Sequence, residues 1–130
     1  MSNMKPTPAE VSQQHGWCVL IVEDEYFLAD DLARGFADEG ISIVGPVPTL
    51  DQARTLIEQK QVNLAVLDIA LDDSKVYDVA DALIAQDVPV LFVTGYDRDA
   101  IPDQYADVPM CQKPVSAKDV IIALERIIAN

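Results

Sequence analysis

Three stretches of the chain are apolar without alternation, and each stops on polar groups. Trp17-Cys18-Val19-Leu20-Ile21-Val22 runs into Glu23-Asp24-Glu25, Val62-Asn63-Leu64-Ala65-Val66-Leu67 ends on Asp68, and Val88-Pro89-Val90-Leu91-Phe92-Val93 ends on Thr94-Gly95. Runs of this length read as strands buried on both faces, as in a parallel sheet. Pro89 stands near the start of its run, where a missing N–H is tolerated. Ile41-Ser42-Ile43-Val44 is a shorter strand whose alternation suggests a sheet edge, stopped by Gly45-Pro46 and Pro48. Val108-Pro109-Met110-Cys111-Gln112 is a weak fifth strand, ending on Lys113-Pro114.

Between the strands the period changes to that of helices. Residues 26–39 carry Leu28, Leu32 and Phe36 at four-residue spacing with Ala29 and Ala33 beside them, and Gly40 closes the helix in a left-handed conformation. Thr49 and Gln52 form a capping box for a helix with Leu50, Ala53, Leu56 and Ile57 on one face, running to about residue 60. A polar loop follows Asp68, then a helix over roughly residues 76–86 with Val79, Ala80, Leu83 and Ile84 inward. Residues 97–107 are polar and contain Pro102, with Pro109 close after, so they hold at most a turn or two of helix. Ser116 with Asp119 caps the last helix, which carries Val120, Ile121, Leu124, Ile127 and Ile128. Five strands alternating with helices are α/β, with right-handed crossovers and helices on both faces of a parallel sheet.

In a parallel sheet all strand ends share one rim, and ligands bind in the crevice beyond them. Glu23-Asp24, Asp68, Thr94 and Lys113 therefore converge. Any single strand-end aspartate is more often a turn residue than a functional one. Four strands ending this way is a pattern that loop solvation does not produce. An aspartate held there can act as nucleophile, metal ligand or cap. Asp24 and Asp68, with Glu23 through water, offer hard oxygens for Mg²⁺, which takes few protein ligands and keeps several waters. Asp68 is then a nucleophile for a phosphoryl group, Lys113 a point charge for Asp68 and the phosphoryl oxygens, and Thr94 a hydroxyl within reach of one of them. Three adjacent carboxylates at Glu23-Asp24-Glu25 also suit the positive end of a helix dipole.

The chain has 130 residues, half of them hydrophobic, which fits one domain with a real core. Nine basic against 22 acidic residues give a formal charge of −13, which argues against nucleic acid and against an anionic membrane surface. Residues 1–14 are polar, with no apolar core of a signal peptide, and no run is long enough to span a bilayer. Residues 1–15 read as a flexible tail, with the sole histidine, His15, idle at its end, and residues 16–130 as the folded domain. Cys18 and Cys111 match no metal or redox spacing and read as reduced core residues of a cytoplasmic protein.

The ordered set Glu23-Asp24, Asp68, Thr94 and Lys113-Pro114 resembles the receiver domain of two-component response regulators, over nearly everything from Trp17 onward. The resemblance implies a doubly wound, flavodoxin-like sheet of five parallel strands in the order 2-1-3-4-5. It implies phosphorylation of Asp68 by a phosphohistidine of a histidine kinase or histidine phosphotransfer protein. It assigns metal binding to Asp24, Asp68 and the backbone carbonyl of Ala70, and it keeps Cys18 and Cys111 apart, on strands one and five. Phe92-Val93-Thr94-Gly95-Tyr96 also looks like the FAT GUY subgroup of alphaproteobacterial single-domain receivers, with Val93 and Asp97 departing from its motif. Two features depart from the common receiver. Met110 stands three residues before Lys113, where most receivers carry a switch aromatic, and the fourth helix is reduced.

A haloacid-dehalogenase-type phosphatase would need a second acid two residues after Asp68, and that position is Ala70. A pseudo-receiver that only binds partners usually lacks the acids or the lysine. After Lys113 there is room for one helix, so the expected output is protein–protein contact rather than an attached DNA-binding domain. The expected partner surface is the loop at Tyr96 with strand five and the last helix, which also offers a candidate homodimer face. The expected chemistry is limited to the chain's own phosphotransfer and autodephosphorylation.

Overall fold

The computed structural model describes residues 16–69 and 73–129. The elements are β1 (Cys18–Val22), α1 (Tyr26–Asp38), β2 (Ser42–Val47), α2 (Leu50–Gln59), β3 (Leu64–Asp68), α3 (Asp73–Ala85), β4 (Val90–Thr94), β5 (Met110–Gln112) and α4 (Ala117–Ala129). The strands form one parallel sheet in the order β2-β1-β3-β4-β5. The three unalternating runs are its interior strands, and the two weaker ones are its edges. This is the doubly wound, flavodoxin-like architecture expected, with four α-helices among the described residues.

Alternate residues of the interior strands feed two cores. Leu20, Val22, Ala65, Leu67 and Phe92 pack against α2 and α3, while Val19, Ile21, Leu64, Val66, Leu91 and Val93 pack against α1 and α4. Leu32 and Phe36 bury the α1 stripe, and Gly40 ends that helix at φ 71°. Gly35 lies where α1 meets α4: a Cβ there would come within 2.2 Å of the Ala117 Cβ. The α4 N-terminus is a full capping box, with Asp119 N donating to Ser116 Oγ at 3.3 Å and Ser116 N to Asp119 Oδ2 at 3.0 Å. At α2 only half of that motif forms: Gln52 N donates to Thr49 Oγ1 at 3.2 Å, while the Gln52 side chain meets the Thr49 hydroxyl.

Several boundaries differ from the sequence reading. β2 does not stop at Gly45-Pro46 but continues to Val47, with an irregular register between Leu20 and Val22 on β1. An edge strand tolerates a proline, and Gly45, at φ 95°, brings the backbone close to the Ile21 carbonyl, where a Cβ would sit 2.9 Å from the oxygen. α3 starts at Asp73, before residue 76, so Val76 joins Val79, Ala80 and Leu83 in the buried stripe and Ile84, at its margin, faces solvent. Residues 97–107 hold two 3-10 turns, Arg98–Ala100 and Asp103–Tyr105. Cys18 and Cys111 are free, as expected, but half-buried rather than core, because Cys18 opens its strand and Cys111 lies on the short edge strand β5.

The tail assigned to residues 1–15, with His15, and the residues 70–72 that include Ala70 lie outside the described residues. Among the described residues no helix is long and apolar enough to cross a membrane.

Candidate phosphoryl-acceptor site

Glu23, Asp68 and Thr94 are delivered by the buried interior strands, and Lys113 by the edge strand β5. Val22 pairs with Leu67, so the next residues, Glu23 and Asp68, stand side by side. Asp68 in turn pairs with Val93, and Thr94 follows on β4. The Lys113 amide donates to the Thr94 carbonyl at 2.7 Å, which fixes the lysine beside β4. Glu23, Asp68 and Thr94 are buried, while Asp24 is exposed. One oxygen from each of Glu23, Asp24 and Asp68 falls within 4.8 Å of the others.

Lys113 closes the site. Its Nζ lies 3.1 Å from Asp68 Oδ2, 3.1 Å from Glu23 Oε1 and 3.0 Å from Glu25 Oε1. Glu23 Oε2 also accepts from the Glu25 amide at 2.9 Å. Burial pushes the Glu23 carboxyl up to about 7, with the neighbouring Asp68 adding to the rise and the Glu25 amide and Lys113 opposing it. Burial alone would lower the Lys113 ammonium, but Glu25, Asp68 and Glu23 together hold it well above its usual value. The lysine is therefore charged throughout the physiological range, and the cluster around it still carries excess negative charge.

The donor set fits a small divalent cation. Three carboxylates from two adjacent strand ends supply hard oxygens on one side only, which suits Mg²⁺ with its retained waters. A cation there would also oppose both the burial and the Asp68 charge that raise Glu23.

The structure brings together Glu23, Asp24, Asp68 and Lys113 and sets Thr94 on the strand between Asp68 and Lys113; Ala70 falls outside the described residues. Two residues went unassigned in the sequence reading. Glu25 appeared there only as part of an acidic run, yet it turns back onto Lys113. Tyr105 lay in a polar, proline-bearing segment with no periodicity, yet it is buried against Phe92 and Tyr77, and its hydroxyl donates to Asp81 at 3.0 Å.

A family model described as the response regulator receiver domain matches residues 19–125. The chain belongs to that family. It is similar to the sensory transduction protein RegX3 of Mycolicibacterium smegmatis, 33% identical over 118 residues, covering 85% of this chain and 50% of that protein. The chain thus spans about half the length of that relative. Among solved structures it is similar to SdrG from Sphingomonas melonis Fr1, at 34% identity and a TM-score of 0.73, covering 86% of this chain and 96% of that one. The BeF3-activated conformation of SdrG from Pseudomonas melonis Fr1 matches at the same identity of 34% and TM-score of 0.73, over 85% of this chain and 95% of that one. A CheY-like receiver from Methanospirillum hungatei JF-1 shares the fold at 23% identity and a TM-score of 0.72, covering 87% of this chain and 94% of that one. This receiver is thus the signal-accepting domain of a two-component response regulator.

Proposed function

We propose that this receiver takes a phosphoryl group from a phosphohistidine of a histidine kinase or histidine phosphotransfer protein onto Asp68. The observation that carries the reading is the Lys113 ammonium 3.1 Å from Asp68 Oδ2 at the edge of the Glu23, Asp24, Asp68 cluster. A carboxylate oxygen of Asp68 attacks phosphorus as the bond from phosphorus to the imidazole nitrogen breaks, and the imidazole leaves with the bonding pair. Lys113 turns toward the phosphoryl oxygens, and the Thr94 hydroxyl donates to one of them. Asp24, Asp68 and the backbone carbonyl of Ala70, with Glu23 beside them, would hold Mg²⁺. When bound it supplies positive charge against the phosphoryl oxygens and the clustered acids.

The remaining readings rest on the same site. Residues 16–130 act as the receiver and residues 1–15 as a tail. The chain catalyses only its own phosphotransfer and autodephosphorylation in the cytoplasm. It signals by protein–protein contact, without nucleic acid or membrane, as its net charge of −13 favours. Ile122, exposed on α4, lines a groove with Met110 and Cys111 of β5 and supports that surface as the one a downstream protein or a second copy meets. Phe92 to Tyr96 favours the FAT GUY subgroup.

Intact-mass measurement after incubation with acetyl phosphate and Mg²⁺ tests the central step. The wild type gains one phosphoryl group and Asp68→Asn gains none. Equal uptake by the asparagine variant would remove Asp68 from the chemistry.

A further inference from the structure

Lys113 has more partners than its contact with Asp68 requires. An ammonium carries three N–H donors, and three carboxylates take them: Asp68 Oδ2, Glu23 Oε1 and Glu25 Oε1, all at 3.0–3.1 Å. A phosphoryl oxygen arriving at Asp68 meets a lysine whose donors are engaged, so one carboxylate must let go.

The three carboxylates are not equal candidates. Asp68 is the acceptor itself, and its side chain is only 2% exposed. The Glu23 side chain is also 2% exposed, and its second oxygen is tied to the Glu25 amide. Releasing either from Lys113 would leave a charge without water to replace its partner. The Glu25 side chain is 60% exposed, at the residue just before α1. Water solvates it as soon as the lysine leaves.

We infer, resting on the phosphoryl-acceptor reading above, that Glu25 is a positioning residue that occupies the Lys113 N–H destined for the phosphoryl group and thereby slows phosphorylation of Asp68. Glu25 acts through the lysine, whose Nζ it holds at 3.0 Å. Its carboxylate stabilises the unphosphorylated arrangement and has to be displaced before the lysine can assist. Removing it speeds the reaction by the worth of an exposed ion pair, about two- to fivefold. A residue that merely supported the fold would do the opposite when removed.

The test follows phosphorylation by acetyl phosphate at saturating Mg²⁺, timed by intact mass. In this reaction an Asp68 oxygen bonds to phosphorus, the bond to the acetyl oxygen breaks, and acetate leaves with the electron pair. Glu25→Gln and Glu25→Ala should both raise the rate constant about two- to fivefold, with thermal melts establishing that each variant is folded. Added KCl should shrink the ratio of variant to wild type, because the exposed pair is screened. Asp30→Asn removes the same charge from the first turns of α1, where Asp30 pairs with Arg34 at 3.0 Å and not with Lys113. It should leave the rate within the error of the wild type. Glu25 variants no faster than wild type, or equal acceleration by Asp30→Asn, overturn the inference while leaving the phosphoryl-acceptor reading intact. No uptake by the wild type sinks both.

Discussion

Lys113 and Asp68 meet at 3.1 Å although their strands, β5 and β3, are not neighbours. The lysine side chain crosses the end of β4, where Thr94 stands. The pair therefore joins the weakest strand of the sheet to its centre.

Removing that reach should cost both stability and chemistry. Lys113→Met leaves Glu23 and Asp68 buried without their cation, a loss on the order of 3 kcal/mol when no other charge compensates. Urea melts without Mg²⁺ at pH 8 should show it, and Mg²⁺ should recover most of it by binding only the folded state. Phosphorylation by acetyl phosphate should slow by roughly a hundred- to a thousandfold, the effect of deleting one donor to the developing charge. A variant as stable and as fast as wild type would mean that the contact is incidental.

The acid cluster sets a pH dependence. Glu23 titrates near 7 in the folded chain against an ordinary value of 4.5. The folded state thus holds a proton that the unfolded state releases, and the associated stability is complete below 4.5 and lost as pH rises toward and through 7. The metal-free protein should melt a few degrees lower at pH 8 than at pH 5.5. Lys113 does not contribute in this window, since its raised value lies above it. Glu23→Gln should flatten the slope, and Mg²⁺ at fixed ionic strength should raise the melting temperature more at pH 8 than at pH 5.5. A flat metal-free profile would remove Glu23 as its source.

Most of the architecture was legible because interior parallel strands write themselves as unalternating apolar runs. Residues that end such runs, Asp68 and Thr94 above all, could be placed on one rim by counting alone. What escaped was set by contacts remote in sequence. Glu25 looks like any acid at a helix start until the chain folds Lys113, 88 residues away, against it. β2 continues through Gly45-Pro46 because it lies at an edge, and edge position is a property of the sheet rather than of the segment. The thiols illustrate the opposite case: β3 and β4 separate Cys18 from Cys111, three strand spacings of about 4.8 Å, beyond any disulfide.

Tyr105 takes over part of the work of the missing helix between β4 and β5. Its ring stacks on Tyr77 at a centroid distance of 4.5 Å and meets Phe92 edge-on at 6.1 Å, and its hydroxyl reaches both oxygens of Asp81, at 3.0 and 3.1 Å. Tyr105→Phe keeps the packing and loses a charge-assisted hydrogen bond, so it should destabilise by about 1.5–3 kcal/mol. Tyr105→Ala should cost roughly 3–5 kcal/mol, as for other buried aromatics. Asp81→Asn combined with Tyr105→Phe should cost less than the two losses added together, since they remove one interaction. Strict additivity in the double variant would show that the hydroxyl and Asp81 are not coupled.

The switch should be read at Tyr96 rather than at Met110. The Tyr96 amide donates to Thr94 Oγ1 at 3.0 Å, so the loop after β4 is tied to the hydroxyl that a phosphoryl group would recruit. Turning that hydroxyl toward Asp68 withdraws the acceptor from Tyr96 and frees a loop whose ring is already 48% exposed. Met110 pairs with Phe92, two residues before Thr94, and lacks a hydroxyl with which to report a movement to the surface. Phosphorylation, or beryllofluoride with Mg²⁺, should therefore speed hydrogen exchange at the Tyr96 amide. Thr94→Val should show fast exchange there in both states. Phosphorylation-dependent partner binding should be lost in Tyr96→Ala and kept in Met110→Ala, with phosphorylation itself normal in both. The reverse pattern, binding kept by Tyr96→Ala and lost by Met110→Ala, would move the route to β5.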